Sequence, residues 1–316
     1  MPTWGEILGE LNASAADNNG QPDFDGVRRR YIGALHQLTT RPLITYYTDW
    51  MNGSAGWDAA INLSDMQGLM EVCQGLPGPS LDLILHSPGG SPEAAASIVG
   101  YLRRKFTDIR VFVPLAAMSA ATMWSLACDE IVMGKHSQLG PIDPQMVTAQ
   151  GQFPASAILR QFEQAKAECA ADPSRVTAWF PILQQYGPSL LQQCEIAETL
   201  ARKLVSEWLR KYMFAGKPNA GQRAARVARF FSNYGARGSH SLGIDRELAR
   251  SKGLNVTDLE DKQDLQDAVL SIHHASMLTL NGSAVKLIEN NLGRTFAKLQ
   301  ASAAIQIPIF QTPPAT

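Results

Sequence analysis

The sequence predicts an α/β protein with a largely parallel sheet. Short apolar runs recur through the first half, helical-period segments separate them, and turns rich in glycine, proline and small residues mark the junctions. Of the 316 residues, 45% are apolar and 18% charged, which suits a packed core and argues against a disordered chain.

The elements follow in order. Residues 1–40 read as a polar, helix-containing lead, broken at Asn18–Pro22 and resuming with helical spacing from Val27 to Leu38. Leu43–Tyr47 reads as a strand, 62–74 as a helix, and Leu81–His86 as a second strand. Ser87–Pro92 is a turn, and Pro92 sits where proline is tolerated, at the start of a helix over Glu93–Lys105. Ile109–Val113 is the next strand, Ser119–Ala127 the next helix, and Ile131–Met133 a further strand. From about Pro154 helical patterns dominate: Ala155–Ala170, Val176–Gln185, Ser189–Phe214 and Ala220–Phe231. A short helix over Arg246–Lys252 stops at Gly253, a longer one is expected over Lys262–Asn290, and Phe296–Ala303 reads as its continuation. The tail Ile307–Thr316 is proline-rich. The expected division is a helical lead over 1–40, a central α/β domain over 41–255, and a helical C-terminal extension with its tail over 256–316.

Composition removes several function classes. The chain carries 28 basic and 29 acidic residues, so no basic excess exists to neutralise phosphates and no nucleic-acid partner is expected. Cys73, Cys128, Cys169 and Cys194 form no C-x-x-C pair, which excludes a zinc ribbon and fits a reducing compartment. No metal site and no cofactor are expected. Val111–Cys128 is about long enough to span a bilayer, yet it contains Pro114 and runs into Asp129 and Glu130, so a buried strand and helix explain it better. The N-terminal residues show no secretory pattern, and the expected compartment is the cytoplasm. Arg28–Arg30 and Arg103–Lys105 read as solvated helix faces. No P-loop motif is present, so ATP-driven delivery of a substrate requires a separate partner.

Two segments carry chemistry. In one, a strand runs into Ser87-Pro88-Gly89-Gly90 and a helix; in the other, a strand runs into Ala116–Thr122 and a helix. Small residues allow close backbone approach, and helix N-termini present unpaired N–H groups that favour negative charge. If the two strands are neighbours, their carboxyl ends share one crevice. Ser119 then faces donors from the glycine turn, which is the layout of a serine nucleophile with an oxyanion hole. On these residues alone, Ser119 reads equally as a helix N-cap.

The wording LHSPGG (85–90), AMSAATM (117–123), CDEIVMG (128–134) and HSQLGPIDPQ (136–145) resembles the serine dehydrogenase proteinase family of the ClpP/crotonase superfamily, cousins of signal-peptide peptidase A and NfeD-type proteases. The resemblance implies a spiral of β-β-α units with a helical C-terminal portion, assembly into homo-oligomers, and serine endopeptidase activity on peptides or proteins. It places the nucleophile at Ser119 and the oxyanion donors at the amides of Gly90 and Ala120. The base departs from the best-known pattern, since Asp143 stands about where ClpP-type enzymes have histidine. A carboxylate with a reference pKa of about 3.9 is a poor base for a serine.

A lysine base, as in the signal-peptide peptidase relatives, needs burial to lose its proton near neutrality. Lys166, on a helix whose apolar side holds Ile158, Phe162 and Ala165, is the preferred candidate, although NfeD-type relatives place theirs nearer Ala155. His240, in a Gly/Ser loop, is the alternative base. His136 is a weaker competitor, His86 reads as structural, and the adjacent His273 and His274 point in different directions. Two other classes stay open: an acyl-CoA-binding crotonase-type enzyme, and a non-catalytic oligomeric scaffold of the same fold.

Overall fold

The computed structural model describes residues 2–51, 56–233, 243–281 and 284–299, with Asp17 and Trp57 described by backbone alone. His240 and the proline-rich tail lie outside the described residues.

Two helices, α1 (Trp4–Asp17) and α2 (Phe24–Thr39), lead into β1 (Leu43–Thr48). The short α3 (Gly56–Ala59) and α4 (Asp65–Cys73) precede β2 (Ser80–His86), α5 (Pro92–Lys105) and β3 (Asp108–Val113). A two-residue strand, β4 (Ala116–Ala117), runs into α6 (Ala120–Leu126), followed by β5 (Glu130–Met133) and β6 (Gln138–Leu139). A hairpin of β7 (Gln145–Thr148) and β8 (Gly151–Pro154) opens the helical stretch α7 (Ala155–Ala171), α8 (Val176–Leu183), α9 (Leu190–Lys211) and α10 (Ala220–Ser232). Then come α11 (Arg246–Ser251), β9 (Val256–Asp258), α12 (Gln263–Leu280), β10 (Ala284–Asn290) and β11 (Thr295–Leu299).

The main sheet has the order β11-β10-β1-β2-β3-β5-β9, with β1, β2, β3, β5 and β9 parallel and the β10–β11 hairpin antiparallel at one edge. This bears out the mixed α/β class. The central strands β1 and β2 are buried on both faces, which is why they read as continuous apolar runs. One face packs Leu83, Leu85 and Val111 against helices that include α4, α5, α6 and α9; the other packs Leu43, Tyr47 and Ile84 against α2 and α12. Helix α5 starts where its sequence demands: the Ser91 hydroxyl accepts from the Ala94 N–H (3.1 Å), Pro92 opens the first turn, and Arg103–Lys105 close the last.

Two sequence expectations change, and one hairpin has no counterpart among them. The helix expected over Lys262–Asn290 ends at Leu280, and the chain returns as β10 and β11. All seven residues of β10 are buried because it pairs with β1 on one side and β11 on the other, so its run shows no alternation to distinguish strand from buried helix. The β7–β8 hairpin carries weakly buried residues and no strong pattern. Arg28 and Arg103 are buried rather than solvated: Arg28 pairs with Glu289, and Arg103 with Asp129 and the Ala127 carbonyl. Among the described residues, no helix is long and apolar enough to cross a membrane.

Candidate active site

The two small-residue segments meet. Strand β2 continues past His86, and Ser87 bridges to Ala117: the Ser87 N–H donates to the Ala116 carbonyl (3.2 Å) and its carbonyl accepts from the Met118 N–H (2.9 Å). The chain then turns at Gly89 (φ 96°) and Gly90 (φ 150°). A β-carbon at Gly89 would fall 2.6 Å from Ser119 Cβ and 2.8 Å from the Ala120 nitrogen, so only glycine lets the bend lie against the start of α6.

Ser119 occupies the N-cap position of α6 with φ 49° and ψ −117°, outside the wells open to an L-residue. Its side chain makes no capping bond, so the cap reading does not account for it. A serine held in such a conformation at a tight strand-to-helix turn presents its hydroxyl above the turn, the device used by nucleophile elbows. The turn closes tightly because Ala117, Ala120 and Ala121 are small and fully buried. Thr122 locks it from behind: its hydroxyl donates to the Ala117 carbonyl (2.6 Å) and accepts from the Gly140 N–H (2.9 Å).

Two amides flank the serine. Ile61 donates to the Gly89 carbonyl (2.6 Å) and accepts from the Ser91 N–H (2.9 Å), forming a parallel bridge opposite Gly90. In such a pairing the residue opposite turns its own N–H to the other side. Ala120 opens α6, so its N–H has no carbonyl one turn back. Donors so placed at a helix N-terminus can stabilise a developing oxyanion.

The wall beyond Ser119 is the segment 138–143. Strand β6 pairs with β4, the Ile142 N–H donates to the Phe231 carbonyl (3.1 Å), and Leu139 exchanges two bonds with Ile244 (2.9 and 2.7 Å). Phe231 and Ile244 lie on either side of His240 in the chain, so both described flanks of that residue are fastened to the wall. Asp143, at its end, is 1% exposed and accepts from the Gln145 side chain (3.1 Å).

With this geometry in view, the model of the ClpP-like SDH-type serine proteinase family matches residues 61–180. That segment, well under half of the chain, is therefore similar to this serine proteinase family. Two uncharacterized proteins of Methanocaldococcus jannaschii are similar to it. One is 37% identical over 119 residues, covering 37% of this chain and 40% of the relative; the other is 33% identical over 117 residues, covering 37% and 38%. The match thus spans about two fifths of the length of these relatives. Two solved mutants of the 1510-N membrane-bound stomatin-specific protease are similar at 15% identity. One covers 66% of this chain and 79% of its own with a TM-score of 0.37; the other, in complex with a substrate peptide, covers 60% and 64% with a TM-score of 0.34.

The matched segment contains Gly90, Ser119, Ala120 and Lys166, but neither His240 nor the residues after 180. Lys166 lies on the outer side of α7, 63% exposed and paired with Glu163 (2.7 Å). It edges a shallow apolar depression of about 250 Å³ with Phe162, Trp179 and Phe180.

The other histidines sit on or near the α12 face of the sheet. His86 is fully buried, its Nε2 accepting from Trp50 Nε1 (3.2 Å), and burial pushes its imidazole down to about 4. The His273 ring lies 5.3 Å from it, and burial likewise holds that imidazole well below its ordinary value. His274 turns instead toward Trp4, and His136 is exposed. No group of three or more His, Cys, Asp or Glu among the described residues could hold a metal.

Sequence reasoning missed a buried pair behind the bend. Lys286 on β10 and Asp65 at the start of α4 are both fully buried and 2.5 Å apart, and Lys286 also donates to the Ala60 carbonyl (2.9 Å). Desolvation lowers the Lys286 pKa, and Asp65 opposes that shift. A charged residue inside an apolar run, as in Ala284–Asn290, is the one signal that could have pointed to it.

Proposed function

We propose that this protein is a serine peptidase in which Ser119 attacks the scissile carbonyl and the Gly90 and Ala120 amides receive the oxyanion. The observation that carries this reading is the conformation of Ser119: φ 49°, no capping bond, and direct packing against the glycine bend. Each donor of this kind is worth about 3 kcal/mol in acyl-transfer sites, or roughly a hundredfold in rate. In the cycle, the Ser119 hydroxyl loses its proton to a base as its oxygen bonds the carbonyl carbon. The leaving amine takes that proton as the peptide bond breaks, and water then releases the acyl group by the same route.

Lys166 and His240 are the two candidates for the base. Support for His240 is the attachment of Phe231 and Ile244 to the wall beside Ser119; support for Lys166 is its place within the family segment. The exposed position of the Lys166–Glu163 ion pair weighs against it. Peptides or proteins are the proposed substrates, and cleavage within the chain the proposed mode. A homo-oligomer is the proposed assembly.

The test is labelling with a fluorophosphonate probe together with hydrolysis of a fluorescent casein. Ser119→Ala should lose both, and full activity in that variant would refute the nucleophile. Tight acyl-CoA binding with no labelling of the wild-type protein would favour the crotonase-type enzyme, and an intact oligomer with neither property would favour the scaffold.

A further inference from the structure

We propose that the buried Lys286–Asp65 pair is a positioning device: it clamps the Ala60–Asn62 strand from behind and so sets where the Gly89–Gly90 bend holds its amide against Ser119. The inference rests on the peptidase reading for its rate effects, though not for its structural effect.

The hydrogen bonds alternate across that short strand. On one side, the Ala60 carbonyl accepts from Lys286 Nζ (2.9 Å) and the Asn62 N–H donates to Asp65 Oδ2 (2.9 Å). On the other, the Ile61 N–H and carbonyl bond Gly89 and Ser91. Extended backbone turns successive groups to opposite sides, so three residues join the ion pair to the bend with no slack. A β-carbon at Gly90 would fall 2.3 Å from the Ile61 carbonyl oxygen, which leaves no room for the two strands to slip past each other.

The same carboxylate reaches the nucleophile's helix. Asp65 Oδ2 accepts from the Tyr46 hydroxyl (2.8 Å), and the Tyr46 ring packs edge-on against Trp124 of α6 (5.4 Å). One buried ion pair therefore contacts the supports of both the bend and the serine turn. Lys286 is the one buried lysine among the described residues. It does not act on Ser119 as a base, because its nitrogen lies on the side of Ala60–Asn62 opposite the bend and is held by Asp65 and Ala60. An apolar pair would fill this space without desolvating two charges. What an apolar pair could not do is bond the Ala60 carbonyl and the Asn62 amide at once. Lys286 lies outside the family segment, so the device depends on the C-terminal hairpin.

The test uses the full chain carrying Lys286→Met and Asp65→Leu together, so that neither charge is stranded. Tyr46→Phe, which removes only one bond to Asp65, answers the question should the double variant not fold, and should show the same effects more weakly. A Val269→Ala variant, on the opposite face of the sheet, controls for general loss of stability. Fluorophosphonate labelling of Ser119 and kcat should fall by about a hundredfold in the double variant, with KM little changed, as for a misplacement on the order of an ångström. The control should lose neither. Independently of activity, amide exchange at Ile61 and Ser91 should speed up in the double variant and in Tyr46→Phe but not in the control. Unchanged exchange there would overturn the proposal. So would unchanged labelling in a folded double variant. If the wild-type protein neither labels nor cleaves, the peptidase reading fails while the exchange measurement still decides this one.

Discussion

The sheet body over residues 43–143 and the arm formed by β7–β8, α7 and α8 are built on opposite terms. In the body, α6 is buried along its whole length and Trp124 packs edge-on against Tyr46. In the arm, α8 has no buried residue, α7 buries only Ala155, Ile158 and Ala165, and Val147 is 83% exposed. Close packing is what allows a residue to be held in an unfavourable conformation, because the surroundings over-determine it. Ser119 is such a residue and sits in the body; Lys166 sits in the arm. A thinly packed arm opens locally at little cost, so groups that need fixed geometry belong elsewhere.

The sharpest way to break this comparison is to cut one large side chain in each region. Trp124→Ala should cost about 3–5 kcal/mol in urea unfolding, as large buried aromatics do. Phe180→Ser in the arm should stay within about 0.5 kcal/mol. Equal costs would mean that the arm is covered in solution and that its apolar side chains belong to an interface.

A smaller substitution probes the body at the bend itself. Gly90→Ala forces a β-carbon onto the Ile61 backbone at a φ of 150°. If the Gly90 amide is an oxyanion donor, kcat should fall by about 10²–10³ with the fold intact by circular dichroism. A folded variant of undiminished kcat would remove Gly90 from the site.

Much of this body is legible in the sequence for a physical reason. Strands buried on both faces must be apolar, bends that let backbones touch must be glycine, and a helix that follows one tolerates proline first; LDLILHSPGGSP records all three in order. The strands and the two small-residue turns follow from such local rules, and the meeting of Gly89 with Ser119 follows once their strands are neighbours. What is illegible is non-local. Lys286 and Asp65 lie 221 residues apart, and no spacing rule joins them. Strand β10 read as helix because burial on both faces erases the alternation that marks a strand. Arg28 read as solvated because its partner, Glu289, lies on that same misread strand.

The two regions should also differ in their response to acid. Burial pushes the His86 imidazole down to about 4, below its ordinary value of 6.5. Between those values the unfolded chain binds a proton that the folded chain refuses, so this contribution is complete above pH 6.5 and is lost as pH falls toward 4. Its size is about 3 kcal/mol, from roughly 1.4 kcal/mol per pKa unit. His273, facing His86 across the same layer, shifts in the same direction and should steepen the loss. Urea midpoints measured from pH 7.5 to 4.5 should therefore decline more steeply for the wild-type protein than for His86→Gln. Parallel slopes would show that His86 is solvated in solution.

The smallest expected effect is the most informative about the arm. The Lys166–Glu163 pair is exposed and three residues apart on one helix, a class worth about 0.5 kcal/mol or less. Lys166→Ala should leave the unfolding midpoint unchanged. If the base belongs to the body's wall, it should also leave kcat/KM unchanged, while His240→Ala abolishes turnover. The opposite pair of results, turnover lost in Lys166→Ala with stability intact, would assign the base to Lys166. The arm would then have to close over Ser119 in the working protein, burying the lysine enough to release its proton. Its exposed apolar side chains would in that case be the surface that makes the closure possible, and the contrast between a rigid body and a loose arm would itself be part of the catalytic cycle.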